Sequence, residues 1–354
     1  MDQTPLTDKS IIVTGGTGSL GKVLVRRLLS SEMGQLRRLI VFSRDEAKQH
    51  EMRMSYRHLR SSTDEIIYRN SRELLDFRIG DVRDFHRVAA ALRDVDVVFN
   101  AAALKQVPTC EYSPFEAVLT NISGPENIVR AIQELRLPIT TVVGISTDKA
   151  CKPVNVMGMT KAIQERIFIQ ANLRATNTRF ICVRYGNVLA SRGSVIPLFH
   201  EQIRNGGPVT ITTTDMTRFL LSLDQAVDTI FAAVREAAKG ETYIPRVPSA
   251  RIVDLAKVLI GDRPIETKIT GIRPGEKIHE ILVSEEERFR TVERGRYLAI
   301  TPILPDLRHE QQIEKPLDEE YSSAHHILDR LSLTKLLDDY NLLEIGEAEE
   351  ELLR

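Results

Sequence analysis

The segment that most constrains the fold lies near the start of the chain, where a short β-branched run enters a glycine-rich turn. The run occupies residues 11–13, and the turn reads Thr-Gly-Gly-Thr-Gly-Ser-Leu-Gly over residues 14–21. Apolar side chains then recur at helical spacing through Val23, Leu24 and Leu28. In such a unit the glycines let the backbone approach a pyrophosphate, and the helix N-terminus attracts its negative charge. The sequence therefore predicts a dinucleotide site at this turn.

Further apolar runs alternate with helical patterns along the first half of the chain. Strands are predicted at residues 39–42, 74–79, 96–100, 141–145 and 180–184, and helices at about 45–60, at 114–135 and from Met157 onward. This alternation predicts an α/β fold, a Rossmann-type doubly wound parallel sheet with helices on both faces. Residues 61–73 read as an insertion to which the pattern assigns no structure.

The pattern changes beyond about residue 186, where the predicted elements become shorter and the loops carry Arg, Gly and Pro. We therefore predict a cofactor-binding Rossmann domain over residues 1–185. A smaller α/β substrate-binding lobe would occupy mainly residues 186–330, with some segments returning to the first domain. Residues 331–354 read as an acidic helical tail.

The composition argues against several classes of protein. The formal net charge of the 354 residues is −1, so no overall field favours nucleic acid or an acidic membrane. The N-terminal segment lacks a signal-peptide pattern, and no apolar run is long enough to cross a bilayer. Three widely spaced cysteines indicate a reduced, cytoplasmic protein, and the histidines show no metal-ligand spacing. We expect no nucleic-acid partner, no membrane partner and no metal.

The end of the second predicted strand bears on the choice of cofactor. Ser43 and Arg44 come first there, and an arginine can pair with the 2′-phosphate of NADP. The sequence therefore favours NADP, with NAD as the alternative if Asp45 binds the ribose hydroxyls instead. After the third strand, Asp81 and Val82 are placed to contact the adenine, although Asp81 could simply cap the next helix.

Candidate catalytic groups follow the fifth predicted strand. Thr147, Asp148 and Lys149 lie in the loop, and Lys161 lies on the next helix. A dehydrogenase of this type would normally place a tyrosine four residues before that lysine, but the chain has Met157 there. A thioether cannot act as a base, so the proton chemistry must rest on other groups.

Together these residues resemble the extended short-chain dehydrogenase/reductases. Within them the chain is similar to the UDP-N-acetylglucosamine 4,6-dehydratases of bacterial glycan synthesis, in their short soluble form and with Met in place of the active-site Tyr. The resemblance covers about residues 10–325, nearly the whole chain. The blocks that carry it lie at residues 42–46, 80–84, 101–105, 146–150, 184–188, 191–194, 216–219 and 273–277.

The resemblance implies an internal redox cycle that loses water. Hydride leaves C4 of the sugar for NADP, a base removes the C5 proton, an acid protonates the departing C6 hydroxyl, and hydride returns to C6. Asp148 would be the acid, which requires burial. Lys149 would be the base, which requires a partly neutral amine, and we expect burial or the nearby positive charge of Lys161 to provide it. Lys161 would bind the nicotinamide ribose, Thr147 the C4 hydroxyl, and Met157 would form an apolar wall. The C4 proton would go to Asp148 through Thr147 or water, or else to Lys161.

The resemblance and the motifs also give the binding sets. The predicted substrate residues are Lys105, Asn187, Arg218, Arg273 and Glu276. The lysine and the two arginines could instead be ordinary surface residues, and Glu276 would either bind the ribose or orient Arg273. The predicted cofactor residues are Gly15, Thr17, Gly18, Ser19, Leu20, Gly21, Ser43, Arg44, Asp81, Val82, Ala101, Ala102, Ala103, Lys161, Tyr185 and Asn187.

Other functions remain open on the same scaffold. A UDP-sugar 4-epimerase would move hydride at C4 only, and a dehydratase could also invert C5. A non-catalytic NADP sensor is a third reading, but the presence of Asp148, Lys149 and Lys161 argues against it. By analogy with related enzymes we expect a homo-oligomer, from dimer to hexamer.

Overall fold

The computed structural model describes residues 3–58, 65–174, 177–189, 194–308 and 316–344. The strands are β1 Ser10–Thr14, β2 Arg38–Ser43, β3 Leu75–Ile79, β4 Val97–Asn100, β5 Thr141–Ile145, β6 Arg179–Val183, β7 Val209–Ile211, β8 Thr217–Phe219, β9 Thr242–Pro245, β10 Ser249–Arg251, β11 Thr267–Ile269, β12 Ile281–Val283, β13 Thr291–Arg294, β14 Tyr297–Ile300 and β15 Tyr321–Ser322. The helices are α1 Ser19–Leu29, α2 Glu46–Arg57, α3 Glu65–Glu73, α4 Phe85–Ala91, α5 Val107–Tyr112, α6 Pro114–Val118, α7 Gly124–Glu134, α8 Val156–Ala171, α9 Val195–Arg204, α10 Leu223–Glu236, α11 Ile252–Ile260, α12 Glu285–Arg288 and α13 Arg330–Asp339.

Nine strands form the main sheet, in the order β13-β14-β9-β6-β5-β4-β1-β2-β3. Within this sheet, β1 to β6 and β9 are parallel to one another. Strand β14 pairs antiparallel with β9, and β13 pairs antiparallel with β14. The chain reverses its direction of winding between β1 and β4, so the crevice at their carboxyl ends is where such a sheet binds ligands. The predicted Rossmann-type fold and its six strands are confirmed.

Alternate side chains of the central strands enter two different cores, which explains why the strands read as continuous apolar runs. Ile11 and Val13 of β1 pack in the core under α1 and α10, whereas Ile12 packs on the other face with residues of α4, α7 and α8. A third core joins α9, α11 and α13, and Leu333 and Leu337 of α13 are fully buried in it. The helix of the predicted tail is therefore packed against α9 and α11.

The observed helices differ from the sequence predictions in three places. The segment predicted as one helix over 114–135 contains α6, a π-helical turn at Leu119–Ser123 and α7. Part of the predicted insertion is α3, while its residues 61–64 lie outside the described residues, as do tail residues 345–354. Helix α5, in the loop after β4, was not predicted, because its six residues are too few for a clear helical period.

The glycine-rich turn is held by a contact that leaves no room for a side chain. Gly15 has φ +67°, and a Cβ there would lie 2.7 Å from Ala102 Cα. The Gly15 N–H donates to Phe42 O and the Ala101 N–H to Thr14 O, so the turn is fastened to β2 and to the loop after β4. Gly295 has a similar φ of +59°, but no atom lies within 4 Å of its Cβ position.

We expect Gly15→Ala to destabilise the protein more than Gly295→Ala does. The control variant carries only the left-handed backbone strain, about 1–2 kcal/mol. Gly15→Ala adds the clash with the Ala102 backbone, which raises the loss by about 1–3 kcal/mol. Urea titration of both variants gives the two free energies of unfolding, and equal losses would contradict this account of the turn.

Candidate active site

The N-terminus of α1 has the properties of an anion site. Its cap is Gly18, which supplies no side-chain acceptor, and the first turn contains no acidic residue. A Cβ at Gly21 would lie 2.6 Å from the Gly16 backbone, so the helix starts directly against the turn. Partial positive charge and free N–H groups at such a helix start suit a pyrophosphate. The turn therefore fits the dinucleotide that the sequence predicted.

The polar residues at the end of β2 divide into two groups. Asp45 Oδ1 accepts from the Lys48 N–H at 3.0 Å and caps α2, so this carboxylate already has a structural partner. Asp81 binds Arg83, with Arg44 Nη1 at 3.9 Å from the same carboxylate. The cap of α4 is Asp84, so the alternative capping role considered for Asp81 is wrong. Arg44 lies at the end of β2 with more than half of its side chain exposed.

Asp148 lies in a short 3₁₀ turn, Asp148–Ala150, that follows β5. Its backbone N–H donates to Tyr185 O, which joins the turn to the residues after β6. Its Oδ1 accepts from Thr147 Oγ1 at 2.8 Å and from Lys149 Nζ at 3.0 Å. Its side chain is fully buried, and Oδ2 has no hydrogen-bond partner among the described residues. The carboxyl group is thus held by hydrogen bonds to Oδ1, while Oδ2 is left to bind a substrate group.

A second buried carboxyl group, Glu280, meets the same lysine. Glu280 precedes β12, is 2% exposed, and its Oε1 lies 3.2 Å from Lys149 Nζ. Arg218 Nε is 3.8 Å from that oxygen, whereas Oε2 has no partner within the described ranges. Sequence reasoning missed Glu280. The available signal was an acidic residue directly before the apolar β12 run and three positions after the Arg-Pro-Gly-Glu-Lys block.

The charges in this cluster push its carboxyl groups in opposite directions. Burial raises the pKa of Asp148, and the Glu280 carboxylate raises it further against the opposing pull of Lys149. For Glu280, the attraction of Lys149 and Arg218 outweighs burial and lowers the pKa. Burial alone would lower the pKa of Lys149, but the attraction of Asp148 and Glu280 outweighs it and raises the pKa. The expectation that burial or Lys161 holds Lys149 partly neutral is therefore wrong for this arrangement.

Lys161 differs from Lys149 because its pKa is lowered. It lies on α8, is 5% exposed, and its Nζ donates to Ile145 O at 2.8 Å and to Gln164 Oε1 at 2.9 Å. Because burial is not offset by a paired carboxylate, its pKa falls from 10.5 to about 8. One turn earlier, Met157 is buried in a small apolar cluster with Cys110 and Ala117.

The predicted substrate residues are not all brought together. Arg218 joins the buried cluster through Glu280, but Arg273 and Lys105 are exposed. Glu276 Oε2 accepts from the backbone N–H of Arg273 at 3.4 Å, a contact with the backbone and not with the guanidinium. Asn187 Oδ1 is buried, with no partner among the described residues.

The loop that carries Arg273 is tied to the start of α8. Asn155 caps α8 by accepting from the Gly158 N–H at 2.8 Å, and its Nδ2 donates to Gly275 O at 2.7 Å. This residue, also missed from sequence, places the Arg-Pro-Gly-Glu-Lys loop beside the helix that bears Met157 and Lys161.

The remaining predicted cofactor residues surround the turn or follow neighbouring strands. Ala102 N–H donates to Thr14 Oγ1, which places the alanine run beside the turn. Leu20 and Val82 pack into the cores. Those that follow or line the carboxyl edge of the sheet are Thr17, Ser19, Ser43, Ala101, Ala103 and Tyr185.

No group of three or more His, Cys, Asp or Glu side chains in the described ranges could hold a metal ion. No helix there is both long enough and apolar enough to span a membrane.

Comparison with known proteins gives the family. Residues 11–302 match the family described as polysaccharide biosynthesis protein. The chain belongs to this family. A relative from Methanocaldococcus jannaschii, called an uncharacterized membrane protein, is 45% identical over 306 residues, which is 83% of this chain and 86% of that protein. A protein named UDP-glucose 4-epimerase from Rickettsia canadensis is 40% identical over 355 residues, 98% of each chain.

Solved structures agree with the fold of this polysaccharide biosynthesis protein. Pen from Bacillus thuringiensis superposes with a TM-score of 0.84 at 32% identity, covering 95% of this chain and 99% of that one. DesIV, a dTDP-glucose 4,6-dehydratase from Streptomyces venezuelae, gives a TM-score of 0.63 at 19% identity and covers 76% and 86%. The fold is thus shared with nucleotide-sugar enzymes.

A network of paired charges stands behind the site of this family member. Arg184 is buried between two carboxylates, with Nη2 at 2.6 Å from Glu165 Oε2 and Nη1 at 2.7 Å from Glu287 Oε2. Ser146 Oγ donates to Glu165, so the network joins the residue before Thr147 to α8 and α12. Burial raises the pKa of the neighbouring Cys151 to about 12, so this thiol is not an activated nucleophile.

The lowered pKa of Lys161 predicts a pH-dependent stability. The unfolded lysine, with its ordinary pKa of 10.5, binds a proton more readily than the folded one, whose pKa is about 8. The free energy of unfolding contributed by this group therefore rises with pH between these values. From pH 7 to 9.5, the difference between wild type and Lys161→Met should rise by about 2 kcal/mol.

Urea titrations at several pH values measure that difference. Lys257→Met, on the exposed side of α11, controls for the general effect of removing a lysine. A wild-type minus Lys161→Met difference that stays flat across this pH range would contradict the lowered pKa.

Proposed function

We propose that this protein is an NADP-dependent UDP-sugar 4,6-dehydratase that converts UDP-N-acetylglucosamine to a UDP-4-keto-6-deoxy sugar with loss of water. The observation that carries the proposal is the buried Asp148 carboxyl group, paired with Lys149 at the end of β5 and raised in pKa. Loss of the C6 hydroxyl needs an acid that stays protonated near neutral pH. A 4-epimerase, which changes the configuration at C4 alone, has no such step.

The protein groups account for each proton of the cycle. Bound NADP would supply the redox chemistry, taking hydride from C4 and returning it to C6. Thr147 Oγ1, which donates to Asp148 Oδ1 at 2.8 Å, would accept a hydrogen bond from the C4 hydroxyl, and the neutral form of Lys161 would take the C4 hydroxyl proton. Asp148, protonated at the start, would give its proton to the departing C6 hydroxyl, which leaves as water, and the proton on Lys161 would restore the acid form of Asp148. The carboxyl group therefore ends the cycle as it began.

Lys149 would take the proton from C5 and later return it there. An ammonium has no lone pair, so Lys149 acts as a base only in its minor, neutral form. Its position 3.0 Å from Asp148 Oδ1 places acid and base side by side, as removal of the C5 proton and loss of the neighbouring C6 hydroxyl require. Lys161, with a pKa of about 8, would bind the nicotinamide ribose.

A second candidate is a UDP-sugar 4-epimerase. The name of the Rickettsia canadensis relative, which matches over 98% of both chains, favours it. An epimerase would need Thr147 and Lys161 at C4 but would have no use for a buried acid and amine at C5 and C6. The two reactions differ in the mass of the product.

Purified protein incubated with UDP-N-acetylglucosamine should form a product lighter than the substrate by one water, without net consumption of NADP. Mass spectrometry measures this directly. Asp148→Asn and Lys149→Met should reduce the yield by at least about 100-fold, because each removes a proton-transfer group. Glu285→Gln, an exposed carboxylate near β12, is the matched control and should react normally. An unchanged mass with inverted C4 would replace the dehydratase with the epimerase.

Arg44 carries the proposal that the cofactor is NADP. Because its guanidinium would pair with the 2′-phosphate, Arg44→Met should weaken NADP binding by about tenfold or more and leave NAD binding nearly unchanged. Calorimetric titration of both cofactors into both proteins measures the four affinities. Tighter binding of NAD than of NADP by the wild type would overturn the assignment.

A further inference from the structure

Glu280 is the one member of the buried cluster to which neither the sequence motifs nor the proposed chemistry assigns a role. It reaches Lys149 from the segment just before β12, far along the chain, whereas Asp148 and Lys149 follow β5 of the main sheet. Its backbone is fixed by Ser323. The Ser323 hydroxyl accepts the Glu280 N–H at 2.9 Å and donates to Thr217 O, and the Ser323 N–H donates to Glu280 O at 2.8 Å. The carboxyl group is therefore held in place from outside the Rossmann sheet.

The distances make Lys149 a shared partner of two carboxyl groups. Its Nζ lies 3.0 Å from Asp148 Oδ1 and 3.2 Å from Glu280 Oε1. One ammonium cannot neutralise two buried carboxylates, and an unpaired buried charge is costly. An extra proton on one of the two carboxyl groups relieves this cost, and the geometry decides which group holds it. Glu280 has a second cation, Arg218, at 3.8 Å, whereas the partners of the Asp148 carboxyl group among the described residues are Lys149 and the Thr147 hydroxyl.

We propose that Glu280 is a positioning residue of the Asp148–Lys149 pair, which holds the lysine between two carboxyl groups and directs the extra proton to Asp148. The proposal rests on the proposed dehydratase function. Glu280 acts through its charge on both partners: it disfavours a second negative charge on Asp148 and favours the positive charge on Lys149. The charged groups that face it are Asp148, Lys149, Arg218 and Lys277.

Removing the Glu280 charge should therefore move the whole pH profile in one direction. In Glu280→Gln, Asp148 loses its proton more readily and Lys149 becomes neutral more readily, so both pKa values fall. Both limbs of the bell-shaped dependence of kcat on pH should shift to lower pH by about one unit, while KM stays nearly unchanged. At the basic limb of the wild type, the rate should fall about tenfold. Glu280→Asp, which keeps the charge, should largely restore the profile.

A second measurement does not depend on turnover. The carbonyl stretch of a protonated carboxylic acid, followed by infrared difference spectroscopy and assigned through its loss in Asp148→Asn, reports the proton on Asp148 directly. In Glu280→Gln this band should disappear at a lower pH than in the wild type, and Glu285→Gln should leave it in place. If no dehydration product forms, this titration still tests the proton coupling, so failure of the proposed function and failure of this inference can be told apart.

Three results would overturn the inference. The first is an infrared titration of Asp148 that is the same in Glu280→Gln and wild type. The second is a rate loss of similar size at every pH with both limbs unmoved, which would make Glu280 a base that contacts the sugar. The third is a rise in KM with unchanged kcat, which would make it a substrate-binding residue.

Discussion

One ammonium group held between two buried carboxyl groups is the interaction on which the site depends. Lys149 Nζ lies 3.0 Å from Asp148 and 3.2 Å from Glu280, and the two carboxyl groups come from different parts of the chain. Because both carboxyl groups are buried, the charges of the cluster act on one another strongly. Asp148 is thereby pushed toward the acid form and Glu280 toward the carboxylate. That separation is what lets a carboxyl group serve as an acid near neutral pH.

Such a cluster needs a rigid support, and the buried ion network provides one. Arg184 binds Glu165 of α8 and Glu287 of α12. Ser146, which lies just before the Asp148–Ala150 turn, also binds Glu165. Every charge in this network has an oppositely charged or hydrogen-bonding partner, which offsets the cost of its burial. The main sheet, α8 and α12 are thus joined immediately behind the residues that would move protons.

The sequence predicted what depends on local pattern and missed what depends on long-range contact. The six Rossmann strands were predictable because each is a short, buried apolar run ending at a turn, and the glycine-rich turn identified their carboxyl edge. Strand β14, by contrast, joins the sheet by pairing with β9, and β13 joins by pairing with β14. No local sequence pattern reveals these pairings. The charge of Lys149 was mispredicted for the same reason. Glu280, which together with Asp148 favours the protonated lysine, lies far along the chain.

The central claim is that this cluster moves protons at C5 and C6 of a nucleotide-linked hexose. Reaction in deuterium oxide, followed by proton NMR at early times, tests it most directly, because a proton held on Lys149 exchanges with solvent before it returns. The account predicts a dehydrated product with one solvent deuterium at C5. A product inverted at C4 that carries no deuterium at C5 would contradict it.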